Sequence, residues 1–333
     1  MEYILIDTLR YGLPYALLAL GIFMSYRVLD MADLSCEGTF TLGGALSAVL
    51  LVLGIDPFLA TLIGVLAGFV AGIITGLIHT KLKITALLSG IITMTGLFSI
   101  NLVIMGLAPT VIKDGNGGFI VNYSESGYAA AVYLSGLNVK GENITTIFES
   151  FLAFFSKTNY NMIMISLLVV VAIAFIAYWF FGTEIGMSLR ATGINPKMAR
   201  AQGINTNTMI ILGLGISNAL IAMSGSLFAQ VQGSASSTMG IGVLVIGLAS
   251  IIIGEAIFGK RTFKNWIISV ILGAVLYYFI VVVAIRLGLP SYYQKLLYAV
   301  LILLVLSMPL LKKVLKPLFK KFSKKEEVKD ANA

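Results

Sequence analysis

Predominantly apolar runs of about twenty residues recur along this chain, and no other feature restricts its fold as strongly. They lie at Leu5–Val28, Pro57–Ile78, Ile84–Leu107, Met162–Phe181, Met209–Val231 and Trp266–Ile285, with a shorter last span at Lys295–Leu310. A helix rising 1.5 Å per residue needs about 20 such residues to cross a hydrocarbon layer about 30 Å thick. No soluble core needs so many helices that are apolar all round. With 58% hydrophobic and 11% charged residues, the chain reads as an all-α polytopic membrane protein of about eight or nine spans.

A net charge of +8 would suggest nucleic acid in a soluble protein. Here the bases gather in connecting segments: Arg190, Lys197 and Arg200; Lys260, Arg261 and Lys264; and the tail from Lys312 to Lys325. That is the positive-inside pattern, which argues for membrane lipid and against nucleic acid as a partner. Nine crossings with an outside N-terminus bring these groups to the cytoplasmic side. If Gly38–Leu53 is re-entrant, eight full spans and an inside N-terminus do so. Arg286 and Lys295 fall outside in either count. The N-terminus lacks a basic start and a small-residue cleavage site, so it reads as a first span. Pro14, inside that span, is expected to kink it. Residues 1–311 then form one membrane domain, with an external insertion at about 108–161 and a cytoplasmic loop at about 182–208. Residues 312–333 form a basic cytoplasmic tail.

One cysteine, Cys36, and one histidine, His79, leave no basis for a disulfide, a zinc site or a cofactor. His79 beside Lys81 and Lys83 reads as an interfacial, solvated residue. Gly254–Lys260 has the spacing of a phosphate-binding loop, but Arg261 stands where a Ser or Thr must reach magnesium. Any ATP must therefore be hydrolysed by a partner.

Gly186–Gly203, GMSLRATGINPKMARAQG, is the one sizeable interior segment that is basic and too polar for lipid. Asn195 is a helix N-cap residue, Pro196 suits the first helical position and Gly203 a left-handed stop. The helix they delimit is about two turns, roughly 10 Å, too short to stand alone in water. It therefore needs a docking surface.

LRATGINPKMARAQGIN resembles the signature loop of inner-membrane permeases of the branched-chain amino acid and ribose type of ABC importers. The matching positions are Arg190, Ala191, Gly193, Asn195, Ala199 and Gly203–Asn205. Within that family the chain is most similar to the single-permease branch linked to tryptophan- or tyrosine-type uptake. The resemblance implies a bacterial plasma-membrane importer subunit that performs no bond chemistry and moves a small solute by alternating access. It also implies cytoplasmic ABC ATPase subunits, an extracytoplasmic substrate-binding protein and a second permease copy as partners. Glu184, Gly186, Arg190, Ala191, Gly193, Asn195, Pro196, Lys197, Ala199, Arg200 and Gly203 are the implied ATPase-coupling residues.

Two short glycine-rich segments, Gly38–Leu53 and Val243–Phe258, occupy matching places in the two halves. Paired interrupted segments point to a transport path in repeat-built transporters. Asp33, Ser35, Glu37, Gly43 and Gly44 in the first, with Gly247 and Glu255 in the second, are the candidate path residues. Asp30, Asp33 and Glu37 are alternatively solvated at the cytoplasmic mouth, and Glu255 is alternatively paired with Lys260 and Arg261. An ion-coupled secondary transporter using Asp33, Glu37 or Glu255 is the rival function. Gly64, Gly68, Gly72 and Gly76 form a stripe for close helix packing. Thr93, Thr95, Ser99 and Asn101 read as interhelical hydrogen-bonding residues. The external insertion, which carries two glycosylation-like patterns at Asn122 and Asn143, suits a lid or a docking surface.

Overall fold

The computed structural model describes residues 2–113, 119–122, 127–134, 138–140, 142–148 and 160–288, with scattered helical positions between 296 and 307. In chain order its helices are α1 (Glu2–Ile22), α2 (Ser35–Val52), α3 (Pro57–Lys81), α4 (Ala86–Gly106), α5 (Tyr160–Gly182), α6 (Glu184–Ile194), α7 (Pro196–Ala201), α8 (Thr206–Gln232), α9 (Val243–Phe258) and α10 (Phe263–Arg286). Four short strands are β1 (Thr110–Lys113), β2 (Phe119–Asn122), β3 (Ala131–Tyr133) and β4 (Ser234–Ser236). Among the described residues seven helices are long and apolar enough to cross a membrane, and α9 is a shorter apolar one. The remaining expected span, Lys295–Leu310, and the basic tail lie largely or wholly outside the described residues.

The four-residue glycine spacing in α3 decides how the bundle closes. A methyl group added at Gly64 would come within 2.6 Å of Ser226 Oγ, and one at Gly76 within 2.8 Å of Ile211 Cα. At Gly68 it would run into Ala222 Cβ, and at Gly72 into the Leu214 carbonyl. Bare backbone along this stripe therefore lets α3 and α8 lie closer than side chains would permit. The other face of α3 carries Leu62, Leu66, Val70 and Ile74, all exposed and suited to lipid.

α8 is the axis of the structure, packed against α1, α2 and α3. Its interior face carries polar side chains, each bonded to a neighbouring helix, as helices in an apolar medium require. Ser217 Oγ donates to the Gly21 carbonyl at 2.7 Å, Ser224 Oγ to the Pro14 carbonyl at 2.7 Å, and Ser226 Oγ to the Gly43 carbonyl at 2.9 Å. Gln230 Nε2 donates to Ser47 Oγ and Thr61 Oγ1, each at 2.9 Å. Pro14 lies inside α1, and after Ile22 the helix widens into a π-helical turn at Phe23–Val28.

Long-range bonds sort the element ends onto two faces. On one face Arg286 pairs with Asp7 at 2.8 Å, Arg10 Nη2 donates to the Val231 carbonyl at 3.2 Å, and the Val139 N–H donates to the Val52 carbonyl at 3.0 Å. Within the insertion β1 pairs antiparallel with β2, and β3 of the insertion pairs antiparallel with β4, with Val132 opposite Ala235. The insertion is thus sewn to the segment after α8. Ser124 of the first glycosylation-like pattern lies outside the described residues. The opposite face carries α6, α7, the end of α3 with His79 Nδ1 2.7 Å from the Ile84 carbonyl oxygen, and the Arg27–Glu255 ion pair.

Candidate coupling surface and transport path

The basic stretch forms two short helices. Asn195 ends α6 and starts α7, its Oδ1 accepting the Met198 N–H at 3.1 Å with Pro196 in the first turn. Gly203 follows with φ +82°, so the stop is left-handed. Sequence reading anticipated α7; α6, capped by Thr183 Oγ1 on the Gly186 N–H at 3.3 Å, it did not. The Thr-Glu pair at 183–184 was the available signal.

The implied coupling residues divide between two roles in the fold. Gly186 packs on the backbone of Phe180 and Phe181, Gly193 on the Val28 carbonyl, and Ala199 is buried. The Arg190 guanidinium lies 4.5 Å from the centre of the Phe263 ring, a cation–π contact. These residues, with half-buried Ala191, seat the helices on the bundle. Glu184, Asn195, Pro196, Lys197, Arg200 and Gly203 are exposed. With them stand Ile185, Met187, Ile194 and Met198, at 48%, 53%, 84% and 60% exposure. Exposed apolar side chains on a polar segment are the signature that residue-by-residue comparison missed.

The two glycine-rich segments meet inside the bundle. Asp33 is buried, its Oδ1 accepting the Ser35 N–H at 2.9 Å and its Oδ2 accepting from Asn218 Nδ2 at 2.8 Å. Ser35 Oγ donates to Asn218 Oδ1 at 3.3 Å. Asn218 lies roughly 18 Å along α8 from Thr206 at 1.5 Å per residue, so α2 begins deep within the bundle. After β4 the chain descends beside α2: Met239 packs on Gly44, and Gly240 on the Glu37 carbonyl. α9 then starts at Gly242, whose N–H donates to Glu37 Oε1 at 3.0 Å. The N-terminal ends of both helices therefore bracket one carboxylate. Gly43 packs on the Ala222 backbone and Gly247 on Ile22.

The acids divide between the readings left open for them. Asp33 is held within the protein, while Asp30 is exposed with φ +54°. Glu255 does not pair with Lys260 or Arg261: Oε2 accepts from Arg27 Nη2 at 2.7 Å and Oε1 from Trp266 Nε1 at 2.8 Å. The wide turn ending α1 carries Arg27 across to α9, a pairing that sequence spacing cannot reveal. Of the polar edge on α4, Thr93 shares a hydrogen bond with Thr75 at 3.0 Å and Asn101 Nδ2 donates to the Gly38 carbonyl at 3.1 Å. Thr95 bonds within its own helix and Ser99 is exposed. The phosphate-loop look-alike is the end of α9, with Gly254 packed on the Ser269 carbonyl.

Beside Glu37 is a cavity of about 210 Å³ lined by Glu37, Gly38, Thr41, Met94, Thr95, Phe98, Asn101, Ser237 and Ile241. Thr95, Phe98 and Ile241 are exposed, and Thr95 and Phe98 sit in the middle turns of α4. The cavity therefore opens sideways, at mid-depth.

The family model for the branched-chain amino acid transport system permease component matches residues 4–306. The chain is 36% identical over 328 residues to a tyrosine transport system permease protein of Clostridioides difficile, covering 97% of this chain and 99% of the relative. An uncharacterized protein of Rickettsia prowazekii is 28% identical over 91% of this chain and 97% of its own. A ribose import permease protein of Haemophilus influenzae is 24% identical over 90% and 82% respectively.

Proposed function

Because this chain belongs to the branched-chain amino acid transport system permease family, a family of ABC permeases, we propose that it takes up an amino acid, of the aromatic type named for its tyrosine-transport relative. It works with separate ATPase subunits on the face bearing α6 and α7, which is the cytoplasmic one, and ATP is hydrolysed there. The face bearing the 108–161 insertion receives an external binding protein, and the basic tail is cytoplasmic.

The observation that carries this reading is the α6–α7 surface. Ile185, Met187, Ile194 and Met198 project from helices whose glycines are pressed onto the bundle, so a partner gripping the first moves the second. ATP-driven motion of that partner would rock the bundle between two openings.

Two copies make the importer. A cavity holding a carboxylate and opening sideways at mid-depth would face lipid in a single copy, which is costly. A second copy set across it turns the flank into an enclosed path. Of the expected path residues Glu37 lines the cavity; Asp33, Ser35, Gly43, Gly44 and Gly247 pack the helices around it, and Glu255 pairs with Arg27 on the face that bears α6 and α7. Of the three acids an ion-coupled transporter would use, Asp33 and Glu255 are engaged by Asn218, Arg27 and Trp266, while Glu37 has one oxygen on the Gly242 N–H; transport in vesicles without an ATPase is what would favour that reading.

The test is purification of the tagged chain from its native membrane and identification of what stays bound. A stoichiometric ATPase with two copies of this chain is expected. A lone oligomer that transports in vesicles without an ATPase would overturn the assignment.

A further inference from the structure

The cavity beside Glu37 has an unmet need for a hydrogen-bond donor. Asn101 is 1% exposed, and its Nδ2 donates to the Gly38 carbonyl, which fixes the amide orientation. Its Oδ1 is buried without a hydrogen-bond partner, on a residue that lines the cavity. Such an orphaned acceptor costs about 1–3 kcal/mol and is rare without a reason. Glu37 on the same wall has Oε1 on the Gly242 N–H, leaving Oε2 for a ligand. The threonine hydroxyls do not supply the missing donor: Thr41 donates to the Glu37 carbonyl at 3.0 Å and Thr95 to the Ile91 carbonyl at 2.8 Å. Met94, Phe98 and Ile241 make up the apolar side.

We propose that this cavity is a transit site for a small solute carrying a primary ammonium group beside an apolar side chain, the ammonium donating to Glu37 Oε2 and Asn101 Oδ1. The assignment rests on the transport-path reading above and adds to it the chemistry recognised. An ammonium offers three donors and one positive charge. It satisfies the orphaned amide oxygen and neutralises the carboxylate within the membrane, where either charge alone is expensive. Before the solute arrives, the N-terminal ends of α2 and α9 hold the Glu37 charge. An anion or a neutral acceptor in the same place would face two acceptors and be rejected.

The test places a reporter at the cavity mouth. Thr95→Cys in the full-length chain, in lipid nanodiscs, is labelled with a maleimide; the parent chain, whose Cys36 is buried, is the blank. L-Phenylalanine and phenethylamine should slow labelling, while 3-phenylpropionate at equal concentration should not. Glu37→Gln should raise the half-protecting concentration about tenfold or more, the loss expected for a hydrogen bond to a charged group. Asn101→Leu should act in the same direction. Because it also removes the Gly38 bond, Glu37→Gln, which can still accept from Gly242, is the deciding variant. Equal protection by all three compounds, no protection, or an unchanged half-protecting concentration in Glu37→Gln overturns the proposal. Uptake by the reconstituted importer separates it from the path reading. Amine-selective protection with wild-type uptake in Glu37→Gln removes the path and keeps the site. Lost uptake without amine-selective protection removes the site and keeps the path.

Discussion

Adding one methyl group should have opposite effects at two helical glycines. At Gly72 on α3 the new carbon would overlap the Leu214 carbonyl, with Gly215 Cα also only 2.8 Å away. At Gly96 on α4 it would meet nothing within 4 Å. Carbon contacts are comfortable at about 3.5–4.0 Å, so Gly72→Ala must push α3 and α8 apart by something on the order of 1 Å. Overpacking of this kind costs about 1–3 kcal/mol. Gly96→Ala meets no such obstacle and gains up to about 1 kcal/mol of helix propensity. Gly76→Ala, whose nearest neighbour is 2.8 Å away, should fall between. The assay is thermal loss of the monodisperse peak in one detergent at one heating protocol, since unfolding of such a protein is irreversible and only relative values have meaning. The α3–α8 account would be refuted if Gly72→Ala matched Gly96→Ala, or if both moved the midpoint the same way.

Gly203→Val should lower transport-coupled ATPase activity in the assembled importer with normal membrane insertion. Its φ of +82° costs a β-branched residue roughly 1–2 kcal/mol, and Gly203→Asn should be milder. Equal ATPase coupling in both variants and the parent would count against the stop. Asp33→Asn should lower thermal stability by about 1–3 kcal/mol, because a donor would then be able to face the Asn218 amide that now donates to it; unchanged stability would show that the α2 entry does not depend on this bond. Arg27→Met should destabilise by about 1.5–3 kcal/mol through loss of a charged hydrogen bond, and adding Glu255→Gln should recover part of it. Strict additivity of the two changes would show that the pair is not coupled.

The helical plan was legible because the signals for it are local. Apolar runs set the spans, Val243–Phe258 was delimited by its flanking glycines, and Asn195, Pro196 and Gly203 delimited α7. Asn101 and Thr93 were readable as interhelical bonds because a polar group within a span has few other uses. What stayed hidden depends on chain ends brought together by folding. Arg27 finds Glu255 through the widened end of α1, Asn218 finds Asp33 through the depth at which α2 begins, and β3 finds β4 across the whole of α5 to α8. The orphaned oxygen of Asn101 is hidden for another reason: an amide's second valence is known only when every neighbour is placed.

The contact between α6 and α1 has a mechanical consequence. Gly193 lies directly on the Val28 carbonyl, with Leu29 Cα beside it and no side chain interposed. Side chains are the compliant part of most helix contacts, since they absorb small displacements by changing rotamer. A joint of bare backbone has nothing to absorb them, and so behaves as a gear tooth without backlash. A displacement of α6 by even a fraction of an ångström would arrive undiminished at the π-helical turn, one residue from the arginine that ties α1 to α9.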